Sequence, residues 1–197
     1  MTGMQWRRLV PRAWRAAVVP VAMLMAVTLP PSRAMAQPSL VILVRHGEKQ
    51  PTPADDPSLS EAGVARAQAL AEALSHTTPS TILVSARKRT AETAVPVAKA
   101  TGVTPTVIAL DASHVKAVAE AVMKAKGVVL VVGHSNTVPA IVNALGGPKL
   151  PDLCDASYAT MFLVTPAANG LPTQVVRASY GAPDAPAAAN CAGMTPK

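Results

Sequence analysis

The chain has no apolar run long enough to cross a bilayer, no internal repeat, only two cysteines and only four histidines in 197 residues. Each shortage excludes something. A spanning helix needs about 20 apolar residues, whereas the main apolar stretch, residues 16–29, is shorter and is interrupted by Pro20. The histidines, at positions 46, 76, 114 and 134, never fall in a His-x-x-x-His spacing and no Cys-x-x-Cys pair exists, so the spacings of zinc sites are missing. Acidic residues are absent from the first 36 positions, which carry Arg7, Arg8, Arg12, Arg15 and Arg33.

That uneven charge changes what the composition means. The whole chain has a formal charge of +7 and a pI near 9.9, values that suggest nucleic acid. A nucleic-acid-binding domain carries its basic excess as a face or stripe, and here the excess sits in an N-terminal segment with the order of a secretory leader. Arginines come first, then the apolar region from Ala16 to Leu29, then Ala34-Met35-Ala36 as a small-x-small cleavage site before Gln37. Residues 1–36 are therefore expected to be removed on export to the periplasm or the exterior. Neither nucleic acid nor membrane is expected as a partner of the remainder, and the Arg7-Arg8 pair leaves the export route open. The mature chain is about one domain long. In an oxidising compartment Cys154 and Cys191 can bridge, closing a loop of about 38 residues for roughly 4 kcal/mol.

Leu40-Val41-Ile42-Leu43-Val44 and Val128-Val129-Leu130-Val131-Val132 are continuous apolar runs rich in branched residues, the pattern of strands buried on both faces. Between them, residues 60–74 (with Ser60 as cap), 88–100 and 113–126 have helical spacing, and 81–84 and 104–110 read as strands. A short helix, 137–145, stops at Gly146-Gly147-Pro148. Strands 159–164 and 173–178 flank an Asn169-Gly170 turn and predict an antiparallel hairpin at the sheet edge. The fold expected is a three-layer α/β sandwich with a mainly parallel sheet over residues 37–180, followed by a loosely organised Ala/Pro-rich tail over 181–197.

In such sheets ligands sit beyond the carboxyl ends of the strands. Those ends carry Arg45-His46-Gly47-Glu48-Lys49, Ser85-Ala86-Arg87-Lys88-Arg89, Asp111 and Gly133-His134-Ser135-Asn136. Guanidinium forks match phosphate oxygens and a neutral imidazole is a competent nucleophile, so the set suits phosphoryl chemistry. Gly133-His134-Ser135-Asn136-Thr137 also resembles a hydrolase nucleophile elbow, but Thr137 replaces its last glycine and no histidine follows His134 to complete a triad.

Val44-Arg45-His46-Gly47-Glu48, Leu59-Ser60-Glu61-Ala62-Gly63, Ser85 to Ala94 with Arg89, and Val131-Val132-Gly133-His134-Ser135 together resemble the signature motifs of the histidine phosphatase superfamily, the phosphoglycerate-mutase-like group, over most of residues 40–180. The resemblance implies that His46 attacks phosphorus and forms a phosphohistidine that water cleaves. It also implies that Arg45, Arg89 and His134 hold the equatorial oxygens, and that neither metal nor cofactor takes part. It leaves the proton donor open between Asp111, placed first, Glu48, and none. His76 reads as an exposed helix-end histidine and His114 as a structural one near the crevice. The substrate expected is a small phosphorylated molecule. The alternatives are a non-catalytic binder of phosphorylated glycans or lipids, and a mutase-type phosphotransferase; a phosphohistidine-protein phosphatase sits poorly with export. The sequence does not fix the oligomeric state.

Overall fold

The computed structural model describes residues 37–185. The leader read over residues 1–36, Cys191 and the end of the tail lie outside the described residues. Six strands and four helices alternate: β1 (Pro38–Arg45), α1 (Glu61–Ala73), β2 (Thr81–Ser85), α2 (Lys88–Thr101), β3 (Thr106–Ile108), α3 (His114–Lys124), β4 (Gly127–Gly133), α4 (Thr137–Ala144), β5 (Thr160–Thr165) and β6 (Gln174–Ser179). They form one sheet in the order β3-β2-β4-β1-β5-β6. The first four are parallel, β5 runs antiparallel to β1, and β6 closes the edge antiparallel to β5. The α/β architecture with an antiparallel C-terminal hairpin is the one expected.

The continuous apolar runs are explained by two cores, one on each face. Side chains alternate along a strand, so Val41, Leu43, Val129 and Val131 enter the core under α3 and α4, while Ile42, Val44, Leu130 and Val132 enter the core under α1 and α2. All eight are buried. Ser60 caps α1 by accepting from the Gly63 N–H at 3.2 Å. Asn169 and Gly170 take φ of 52° and 80°, the doubly positive turn that joins two-residue hairpins.

Two expectations change in extent. The third strand is three residues, not seven, because it pairs only with β2 at the sheet edge and the Ala109 carbonyl leaves the ladder to accept from His114 Nδ1 at 2.7 Å. The start of the tail is packed: Arg66 Nη1 donates to the Tyr180 and Ala182 carbonyls, and Asp184 Oδ1 accepts from the Tyr158 and Ala159 N–H groups at 2.7 Å each.

Four parallel strands ending at Arg45, Ser85, Ile108 and Gly133 bring their following turns to one end of the sheet. Because β5 is antiparallel, the loop that precedes it, residues 153–158, arrives at that same end.

Candidate active site

A cavity of about 560 Å³ lies at this end, its lining including Arg45, His46, Lys49, Arg89, Asp111, His114, His134 and Asp155. A larger one, about 870 Å³, lies at the opposite end of the sheet between residues 37–39 and 165–172 and contains no ionisable side chain. Chemistry, not size, selects the first.

The turn after β1 is built on close backbone approach. A Cβ on Gly47 would sit 2.8 Å from the Gly63 carbonyl oxygen, and a Cβ on Gly63 would overlap the Glu48 carbonyl. The turn is then tied down, with the His46 N–H donating to the Gly133 carbonyl at 3.0 Å and the Gly47 N–H to Thr93 Oγ1 at 2.9 Å. The two histidine turns are thus joined directly. Thr137, which spoils the hydrolase-elbow pattern, accepts from the His134 N–H at 2.9 Å and so shapes the second turn.

His46 is buried, and its Nδ1–H donates to the Gly47 carbonyl at 2.7 Å. That bond fixes the tautomer and leaves Nε2 with a lone pair, which accepts from Arg89 Nε at 3.1 Å. Burial above all, together with the charges of Arg45, Arg89 and Lys49, lowers the His46 pKa to about 4, against the opposing Gly47 bond. The ring is neutral at pH 7. His134 lies edge-on to it, with ring centroids 5.3 Å apart. His134 is depressed further, to about 3, by burial first and then by His46, Arg89, His114 and Arg87. Its Nε2 meets Ser85 Oγ at 2.8 Å, and its Nδ1 lies 3.4 Å from Arg89 Nη2.

Arg45 is held differently. Its Nη1 donates to the carbonyls of Cys154, Asp155 and Ser157 at 2.8, 3.1 and 3.3 Å, and the Tyr158 ring covers its guanidinium 4.1 Å from the ring centre. Among the described residues its Nε is buried with no hydrogen-bond partner. Arg89 heads α2, whose first N–H groups face anions favourably; Asp56, from the loop after β1, accepts from the Lys88 N–H at 3.1 Å and lies 3.8 Å from Arg89 Nη1. The structure therefore brings together all four residues singled out by their motifs: Arg45, His46, Arg89 and His134.

It does not supply a carboxylic acid. Glu48 is engaged bidentately by Arg66, with Oε1 2.7 Å from Nη2, and this pairing outweighs burial and holds its pKa below the usual glutamate value. Asp111 lines the cavity, but its Oδ1 accepts from the Ser113 N–H and Oγ at 2.8 and 2.7 Å, and these bonds lower its pKa as well. Both candidates are carboxylates at neutral pH, which argues against either as a proton donor. His76 is exposed just past α1, as expected.

Sequence reasoning missed Tyr158, Asp155 and the carbonyl clamp on Arg45. It collected residues that follow strands, whereas at an antiparallel strand the residues that precede it reach the same end. The hairpin reading contained that signal.

The sequence pattern of the histidine phosphatase superfamily, branch 1, matches residues 41–112, the segment carrying the first three of the four motifs, and this bears out the resemblance there. Solved structures then place the fold more closely. The chain is similar to the protein histidine phosphatase SixA solved with tungstate (19% identity, 71% of this chain and 96% of that one, TM-score 0.56). It is similar also to a protein of Agrobacterium tumefaciens described as a phosphohistidine phosphatase SixA (24%, 74% and 99%, 0.56), and to the mycobacterial glucosyl-3-phosphoglycerate phosphatase (20%, 70% and 96%, 0.54). At these identities the likeness is one of fold. No curated protein matches the chain in sequence.

Proposed function

We propose that the chain is an exported phosphatase that hydrolyses small phosphomonoesters through a phosphohistidine on His46, with His134 as the second catalytic histidine and Arg45 and Arg89 binding the phosphoryl oxygens. The observation that carries the reading is the geometry of His46: a ring whose Nδ1–H is committed to Gly47 and whose Nε2 lone pair accepts from the Arg89 guanidinium, with the ring held neutral by burial and by nearby cations. A phosphoryl dianion entering this site takes the Arg89 donor now on Nε2 and the unpartnered Arg45 Nε. The nucleophile is thereby freed as the electrophile arrives. As Nε2 attacks in line, charge moves onto the equatorial oxygens, where guanidinium groups stabilise it most. Water then attacks the phosphohistidine and releases phosphate.

Export is supported by the order of the leader sequence over residues 1–36. A panel of phosphorylated metabolites assayed beside p-nitrophenyl phosphate, with His46→Ala as control, tests the reading. Turnover that vanishes in His46→Ala is expected. Phosphate binding without turnover by the unmodified protein would make the chain a binder instead.

A further inference from the structure

Glu48 is held by Arg66 and Asp111 by Ser113, so neither of the two candidate carboxyl groups is offered as a proton donor to the leaving group. We propose, resting on the phosphatase reading, that His114 is this donor. His114 is 3% exposed yet lines the cavity. Its Nδ1 is 2.7 Å from the Ala109 carbonyl, so Nδ1 carries the proton that it donates, the arrangement that also orients His46. The ring's remaining nitrogen, Nε2, is not committed to any hydrogen bond within the described residues. The loop around it is stiff: the His114 N–H donates to the Asp111 carbonyl at 3.1 Å, and the Ser113 bonds pin the Asp111 carboxylate.

The sheet order gives the direction. Nucleophile, second histidine and Arg89 belong to β1, β4 and the end of β2, in the middle of the row, so a substrate held there by its phosphoryl group extends along the cavity to the β3–α3 loop, where Leu110, His114 and Val115 form the wall. The titratable and charged groups that line the cavity with His114 are Asp111 on its own loop, His134 after β4, Arg45, His46 and Lys49 at and after the end of β1, Arg89 on α2 and Asp155 before β5. Of these, Asp111 and His134 interact with it electrostatically.

In the first step the P–O bond to the leaving group breaks as the N–P bond to His46 Nε2 forms. The electron pair stays on the leaving oxygen, which takes the Nε2 proton of His114, the ring entering the step as the imidazolium with its Nδ1–H kept on the Ala109 carbonyl. In the second step neutral His114 takes a proton from the attacking water, the N–P bond breaks with its pair returning to His46, and hydrogen phosphate leaves. Proton and charge return to the starting state.

The test is the leaving-group dependence of His114→Asn and His114→Gln. A positioned acid contributes about 100-fold or more, and that assistance matters little when the leaving group is already stable as an anion. Turnover of an alkyl phosphate such as glycerol phosphate should fall on the order of 100-fold, while p-nitrophenyl phosphate turnover changes less than about 5-fold. Inhibition by orthovanadate should persist. Equal losses on both substrates, as a merely structural histidine would give, or no loss on either, overturns the proposal. Absence of turnover by the unmodified enzyme on both substrates overturns the phosphatase reading itself, a different outcome from an active enzyme with an unchanged alkyl-to-aryl ratio.

Discussion

At the scale of residues, catalysis rests on protonation states. A His46 pKa near 4 means that the ring stays neutral through the mildly acidic range. Nitrogen-15 NMR of the ligand-free protein should show Nε2 deprotonated down to about pH 5 and titrating near 4; a midpoint above about 6 would mean that Arg45, Arg89 and burial do not act on the ring as described. Tyr158 covers the Arg45 guanidinium, and its ring centre lies 6.2 Å from that of His46. Tyr158→Phe keeps that face covered and should retain near-normal turnover, whereas Tyr158→Ala should cost roughly 1 kcal/mol of cation–π and packing support, read as a several-fold weaker orthovanadate inhibition. Equal inhibition constants for the two variants would remove Tyr158 from the site. His46, Arg45, Arg89 and His134 were legible in the sequence because a parallel strand delivers its next residue to the ligand. Tyr158 was not legible by that rule, since it comes before its strand, and the bonds that lower the Asp111 pKa come from Ser113 folding back onto it, which no spacing reveals.

At the scale of elements, α1 is fastened to the catalytic turn by one ion pair. Arg66, buried on α1, holds Glu48 after β1 and also caps the carbonyls of Tyr180 and Ala182. Truncating one partner of a buried pair strands the other, so Arg66→Ala should destabilise by about 3 kcal/mol. Chemical denaturation measures this, and a loss below about 1 kcal/mol would show that the pair behaves as a surface one. Element identity was readable from period and run length: buried strands such as residues 128–132 contain nothing but apolar residues, and helices repeat at three and four. Element ends were less so. Residues 104–110 are apolar enough for a full strand, but a tertiary acceptor role for Ala109 and a single neighbouring strand shorten β3 to three residues.

For the whole molecule, burying two neutral imidazoles couples folding to pH. Both His46 and His134 have folded values below the ordinary 6.5, at about 4 and 3, so the unfolded chain binds protons more readily. Their contribution to stability is complete above about pH 6.5 and is lost as pH falls toward 4 and 3, amounting to about 2 kcal/mol per histidine between pH 6.5 and 5. Thermal melts should therefore drop between about pH 7 and pH 5, and the drop should shrink in His134→Gln. A drop of the same size in that variant would assign it to other groups.

Everything else depends on His46 taking the phosphoryl group. Rapid mixing with p-nitrophenyl phosphate, quenching in alkali and peptide mass analysis should find one alkali-stable, acid-labile phosphoryl group on the peptide bearing His46, and none in His46→Ala. Steady turnover that persists in His46→Ala, or a phosphoryl group trapped on another residue, would contradict the assignment.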